Sequence, residues 1–171
     1  MLTALAQFVK DLPQFQGLLQ TFTSSEGGTI SVLEAAKAIV LGTVWRELNV
    51  PLLVVTPQPE DARHLFDQLL EYWGEDASIH HFTEFEALPF ERLTPDKTTV
   101  HQRLRTLGAL ANARHAELPP LVVTSASGIA LKTLRPEAFE TDGRYSTVNK
   151  GDTVSMDALL SHWTEMGYRM E

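Results

Sequence analysis

Two five-residue runs constrain this chain more than anything else in it. Leu52-Leu53-Val54-Val55-Thr56 follows Pro51, and Leu121-Val122-Val123-Thr124-Ser125 follows Pro119-Pro120. Both are nearly all apolar and rich in β-branched residues, and both are too short for a helix. They read as buried strands of a parallel sheet, each ending in hydroxyl residues at the strand's carboxyl edge. Parallel strands need crossover connections, and the intervening sequence supplies them. Pro57-Gln58-Pro59-Glu60-Asp61 opens a helix with proline and two acids in its first turn. Its apolar stripe is Ala62, Leu65, Phe66, Leu69 and Trp73, and Gly74 closes it. A short strand is expected at 78–82 and a helix at 97–116. Strand, helix, strand, helix in alternation predicts a three-layer α/β domain with a mainly parallel sheet flanked by helices.

The flanking sequence extends this plan. Residues 1–20 predict two short amphipathic helices, with Pro13 near the start of the second. Residues 21–29 are small and polar and read as a loop, and a long helix is expected over 30–48. After the second apolar run come a short helix at 127–133, an outer strand at 145–149 and a last helix at 155–166. That helix carries Met156, Leu159, Leu160 and Trp163 on one face and Gly167 as its stop. The 171 residues thus read as one α/β domain, 1–20 being N-terminal helices and 21–171 the body, interrupted where another strand would begin.

Charge and composition narrow the function classes. There are 14 Lys and Arg against 22 Asp and Glu, a net charge of −8. That argues against the whole domain gripping nucleic acid, which leans on clustered cations. The absence of cysteine removes disulfides, thiol nucleophiles and thiolate-bound zinc. No apolar run approaches the length of a membrane span, and the first residues carry no basic leader, so the expected compartment is the cytoplasm.

Four features invite a chemical reading. The first is the loop Ser24-Ser25-Glu26-Gly27-Gly28-Thr29 before a helix. In a phosphate-binding loop, glycines turn backbone N–H groups inward, a Lys reaches the terminal phosphates and the next hydroxyl holds magnesium. Here Gly28 stands where the Lys would be, Glu26 adds a negative charge, and no clear strand precedes. The loop reads as a helix start capped by Ser or Thr, or as a phosphate loop that no longer works. The second is histidine: His80 and His81 are adjacent and point to opposite faces of a strand. Asp61, His64 and Asp67 could meet on a helix but have no fourth ligand, and surface solvation accounts for them.

Third, Thr124-Ser125-Ala126-Ser127-Gly128 follows a strand as a nucleophile elbow would, but it lacks the motif's first glycine and any tied His. Ser125 reads as a strand-end cap. Fourth is the middle block. A connector at 82–90 alternates Phe82, Phe85, Leu88 and Phe90 with Glu84 and Glu86, is broken by Pro89, and reads as a loop pinned to the core. The helix after it carries Val100, Leu104, Leu107 and Ala111 on one face, with Lys97, Gln102, Arg103 and Arg105 off that stripe. Arg92, Lys97, Arg103, Arg105 and Arg114 are expected on a solvated face bridged to Glu84, Glu86 and Glu91.

The segment Phe82-x-x-Phe-Glu-x-Leu-Pro-Phe-Glu-Arg-Leu-x-Pro-Asp, followed by Gln102-Arg103-Leu104-x-x-Leu107, resembles the N-terminal module of the bacterial transcription-repair coupling factors. The flanks agree in order: Pro51-Leu-Leu-Val-Val-Thr-Pro, Leu121-Val-Val-Thr-Ser, Lys150-Gly-Asp and Gly167-Tyr168-Arg169. The resemblance implies the first subdomain of a UvrB-like module, a degenerate helicase-like (RecA-like) domain that, unlike UvrB, has lost its phosphate loop. It implies a non-catalytic scaffold within a large ATP- and magnesium-dependent DNA translocase that displaces stalled RNA polymerase and recruits UvrA. The family's main UvrA-contacting subdomain is expected just after Glu171, so the resemblance carries no binding residue onto a numbered position. No cofactor or metal is expected for residues 1–171, and direct DNA binding is not expected. The reading from a different class is a nucleotide-binding fragment with an unorthodox loop at 24–29.

Overall fold

Leu52–Thr56 (β1), Ile79–Phe82 (β2) and Leu121–Ser125 (β3) form a three-stranded parallel sheet in the order β1-β3-β2. The computed structural model describes residues 4–24, 27–85, 96–139, 148, 150–165 and 168. Their backbone contacts divide the chain into two compact units, Met1–Thr133 and Leu134–Glu171.

In the first unit, β3 is central and all five of its residues are buried, as an apolar run flanked on both edges and both faces should be. The register sets Leu52, Leu121 and Ile79 in one row and Val54, Val123 and His81 in another on the same face. Against that face lies the helix α4 (Pro59–Trp73), with Ala62, Leu65, Leu69 and Trp73 buried. Its predicted stripe and its glycine stop are both observed; Gly74 takes φ +86°, open to a residue without Cβ. The helix α3 (Lys37–Leu48) packs behind α4 and brings Trp45 into the same core. The fully buried Trp45 indole donates to the Pro119 carbonyl at 2.7 Å, just ahead of β3. Asn49 ends α3 in the left-handed conformation and lets Pro51 turn the chain into β1. The helix α5 (Lys97–Ala111) covers the other face over β2, its start capped by the Asp96 carboxylate accepting from Thr99 N. The sheet is therefore flanked by helices on both faces, an α/β fold.

Helices α1 (Ala4–Lys10) and α2 (Pro13–Thr23) occupy the predicted N-terminal positions. Phe15 and Leu18 of α2 form a smaller core with Val44 of α3, and Lys10 pairs with Glu47. In the second unit the described elements are a 3₁₀ turn at Pro136–Phe139 and α7 (Met156–Glu165), numbered after α6 (Ala126–Ala130) of the first unit. The strand expected at 145–149 lies outside the described residues, save Val148, which is in no strand. None of the described helices is long and apolar enough to cross a membrane.

Four expectations need correction. Residues 21–23, read as loop, are the last turn of α2. The helix expected from residue 30 begins with a 3₁₀ turn at Glu34–Ala36 and becomes α only at Lys37; Gly27, Gly28 and β-branched Thr29, Ile30 and Val32 favour extended backbone. β1 is only half-buried, and on one face alone: at the sheet's edge it leaves Leu53 56% and Val55 44% exposed. Finally, α5 does not bury its apolar stripe. Leu104 is 38% exposed, while Arg103 is only 4% exposed and Thr106 1%. An arginine can hold the inward face because partners at the sheet's carboxyl edge satisfy it.

Candidate functional site

The carboxyl ends of the three strands are where a parallel α/β sheet ordinarily opens a ligand crevice. Here they are tied shut. Thr56 Oγ1, ending β1, donates to the Gln58 carbonyl at 2.7 Å and lies 3.4 Å from the Thr124 carbonyl. Thr124 Oγ1, fully buried on β3, donates to the Phe82 carbonyl at the end of β2 at 2.7 Å. Ser125 Oγ donates to Glu84 Oε2 at 2.8 Å and accepts from Gly128 N at 3.1 Å, capping α6 as a strand-end cap should. Ser127 Oγ sits 2.9 Å from the same hydroxyl. Gly128 has no room for a side chain: a Cβ there would meet Thr124 Oγ1 and come within 3.0 Å of the Phe82 carbonyl.

Arg103 closes the arrangement from α5. Its Nη1 donates to the Thr83 carbonyl at 2.5 Å and to the Gly128 carbonyl at 3.1 Å. Its guanidinium carbon lies 3.8 Å from the centre of the Phe82 ring and 4.7 Å from that of Phe85. Burial pulls the guanidinium below its ordinary pKa, with the Glu84 carboxylate acting the other way. One side chain thus joins α5, the end of β2, the first residues of the connector and α6. The Ser125 hydroxyl is engaged by a carboxylate, a backbone N–H and a second serine, with no imidazole among the partners its hydrogen bonds define. That is an anchoring chemistry rather than an activated nucleophile.

The other sequence candidates are not brought together with this edge. Gly27, with φ +65°, and Gly28 and Thr29 follow a helix rather than a strand. They precede backbone in no helix or strand, so Thr29 stands five residues before the 3₁₀ turn at Glu34. A Cβ on Gly28 would collide with the Thr21 side chain, and Ser24 Oγ donates to the Thr21 carbonyl at 2.8 Å. Ser25 and Glu26 lie outside the described residues. The first lysine after the loop, Lys37, is held by Glu34 at 2.6 Å and lines a shallow, mostly apolar groove of about 360 Å³ with Ile30, Val32 and Val40.

His81 stacks on Phe66 of α4 with ring centres 5.3 Å apart, while His80, on the opposite face, feels Arg105 of α5. His64 shares a hydrogen bond with Gln68 at 3.1 Å. Among the described residues no group of three or more His, Asp or Glu converges on a metal position. Arg103, expected on a solvated face, is the clear misplacement: its guanidinium needs two carbonyl acceptors and two rings, and only the inward side offers them. Glu84, Thr124 and Gly128 were also missed as members of one site. The available signal was the polar arc Thr99, Arg103 and Thr106 at helical spacing, set against the hydroxyl-terminated strands.

Parallel strands, flanking helices and a carboxyl edge whose strand ends are tied together by their own side chains define an α/β domain. No protein-family model matches the chain. Its curated relatives are transcription-repair-coupling factors. It is 30% identical over 170 residues to that of Mycobacterium bovis, 98% of this chain and 13% of the relative. It is 24% identical over 171 residues to that of Staphylococcus aureus (strain USA300), and 24% identical over 135 residues to that of Escherichia coli. These alignments take in 99% and 79% of the chain, and 14% and 11% of the relatives. The chain is thus a homologue of one segment of the bacterial transcription-repair coupling factors, and spans about an eighth of their length.

Proposed function

We propose that this segment is a non-catalytic scaffold and interaction part of a transcription-repair coupling factor, built on a degenerate helicase-like sheet. The observation that carries this reading is the environment of Gly27-Gly28-Thr29. A working phosphate loop sits between a strand and the first turn of a helix, where backbone N–H groups and the helix dipole meet the phosphates. This loop follows α2, lacks the lysine and leads into no helix before the 3₁₀ turn at Glu34. The sealed carboxyl edge supports the same reading, since it removes the sheet's other natural crevice. The parent protein, in this proposal, uses ATP and magnesium to translocate on DNA in the cytoplasm, displaces stalled RNA polymerase and recruits UvrA, with its motor elsewhere in the chain.

Calorimetric titration of the 171-residue chain with ATP and magnesium tests the proposal. The expected result is no saturable heat. Saturable binding that disappears in Thr29→Ala would replace it with the nucleotide-binding reading.

A further inference from the structure

We infer that the outward face of α5 is a docking surface for an acidic amphipathic helix of a partner protein. From Lys97 to Ala116 the chain has no acidic residue and four basic ones, Lys97, Arg103, Arg105 and Arg114. The remaining 10 basic residues stand against all 22 acidic ones, a balance of −12. The fold then sorts this basic segment. Arg103 turns inward to the sheet edge, while Lys97, His101 and Arg105 recur at successive turns on the exposed side, with partly apolar-exposed Leu104 beside them.

Among the described residues the exposed cations of this face are not neutralised nearby: Lys97 and Arg105 make no ion pair, whereas Lys10 and Lys37 are paired with Glu47 and Glu34. At a rise of about 1.5 Å per residue the three positions on α5 are roughly 6 Å apart. Acids at i, i+4 and i+8 of a helix laid alongside have the same spacing, and an apolar residue between them would meet Leu104. A nucleic-acid backbone fits less well: it has no use for Leu104, and the strongly acidic remainder of the chain repels it. Such docking deepens the scaffold reading and rests on it, but a different measurement reads it: nucleotide calorimetry can overturn the scaffold without moving the α5 result.

The probe is a fluorescein-labelled synthetic helical peptide carrying Glu at i, i+4 and i+8 with Leu between. It is followed by anisotropy at about 50 mM salt, where surface charges are weakly screened. The unsubstituted chain is expected to bind it and to ignore the same peptide with Lys in place of Glu. Lys97→Glu/Arg105→Glu should weaken binding about ten-fold or more. Arg63→Glu/Lys132→Glu, the same charge change on exposed residues elsewhere, should weaken it less than about two-fold. Far-UV circular dichroism checks that both variants fold. Equal loss in the two variants, tighter binding of a short DNA duplex than of the peptide, or no binding by the unsubstituted chain would each overturn the inference.

Discussion

Replacing Arg103 by methionine removes the side chain that holds four segments together, and the structure sets the scale of the loss. Two hydrogen bonds from a charged donor go, at roughly 1.5–3 kcal/mol each, and the Thr83 and Gly128 carbonyls are left without that donor in a dry site. The stacking on Phe82 and Phe85 adds roughly 1 kcal/mol, partly recovered by the methionine's own packing. Arginine also sheds a desolvation cost on removal, so the net loss is expected near 3–5 kcal/mol. That is a large share of the roughly 5–15 kcal/mol of a typical domain. The assay is urea unfolding by tryptophan fluorescence in a Trp163→Phe background, so that the signal comes from Trp45 and Trp73 of the first unit. With a slope of about 2 kcal/mol per molar, the midpoint should fall by roughly 1.5–2.5 M. Arg105→Met, on the same helix but exposed, should move it by less than about 0.3 M. Arg103→Lys should fall between, keeping the charge but not the planar fork. Equal midpoints for the Arg103 and Arg105 methionine variants would refute the anchoring role.

Two further outcomes follow from the first unit. Gly42 lies in α3 directly beneath the Trp73 indole, whose N–H is buried without a partner among the described residues, and a Cβ at 42 would overlap that nitrogen. Gly42→Ala, which helix propensity alone would favour by about 1 kcal/mol, should therefore destabilise by about 1–3 kcal/mol in the same unfolding assay, with Trp73→Phe recovering part of it. His80 and His81 have pKa values lowered first of all by burial, and His80 also by Arg105. The folded state then binds fewer protons than the unfolded state as pH falls through the ordinary histidine range, so stability present above about 6.5 is lost on acidification. The urea midpoint should drop between about pH 7.5 and 5.5, and His80→Gln/His81→Gln should flatten that part of the curve; an unchanged slope would show that other groups set it.

Much of the fold was legible because it rests on local signals. The β1 and β3 segments were found to the residue by their unbroken apolar runs, and α4 by its proline and acids at one end and Gly74 at the other. What periodicity could not supply was neighbourhood. Leu53 and Val55 look as buried as Val122 and Val123 until strand order shows that β1 is an edge. Arg103 was assigned to solvent because a charge on a helix usually is; its acceptors are backbone carbonyls 20 and 25 residues away, which no side-chain pattern announces. The hydroxyls ending the strands were visible as types, but their closing of the edge depends on Glu84 and Gly128 arriving from separate segments.

The strand order has a consequence for how the chain is made. Among the described residues β1 and β2 do not pair with each other, and each meets only β3, the last of the three to be synthesised; Leu52 finds Leu121 and Ile79 finds the same residue. Until Ser125 has left the ribosome, the apolar β1 and the half-polar β2 wait without a strand neighbour, and the sheet must close in one late, long-range step. Pro57-Gln58-Pro59 and the acids that start α4 can form their helix during that wait and shield one face of β1, which makes the crossover helix a guard for the nascent strand before it is a wall of the finished core.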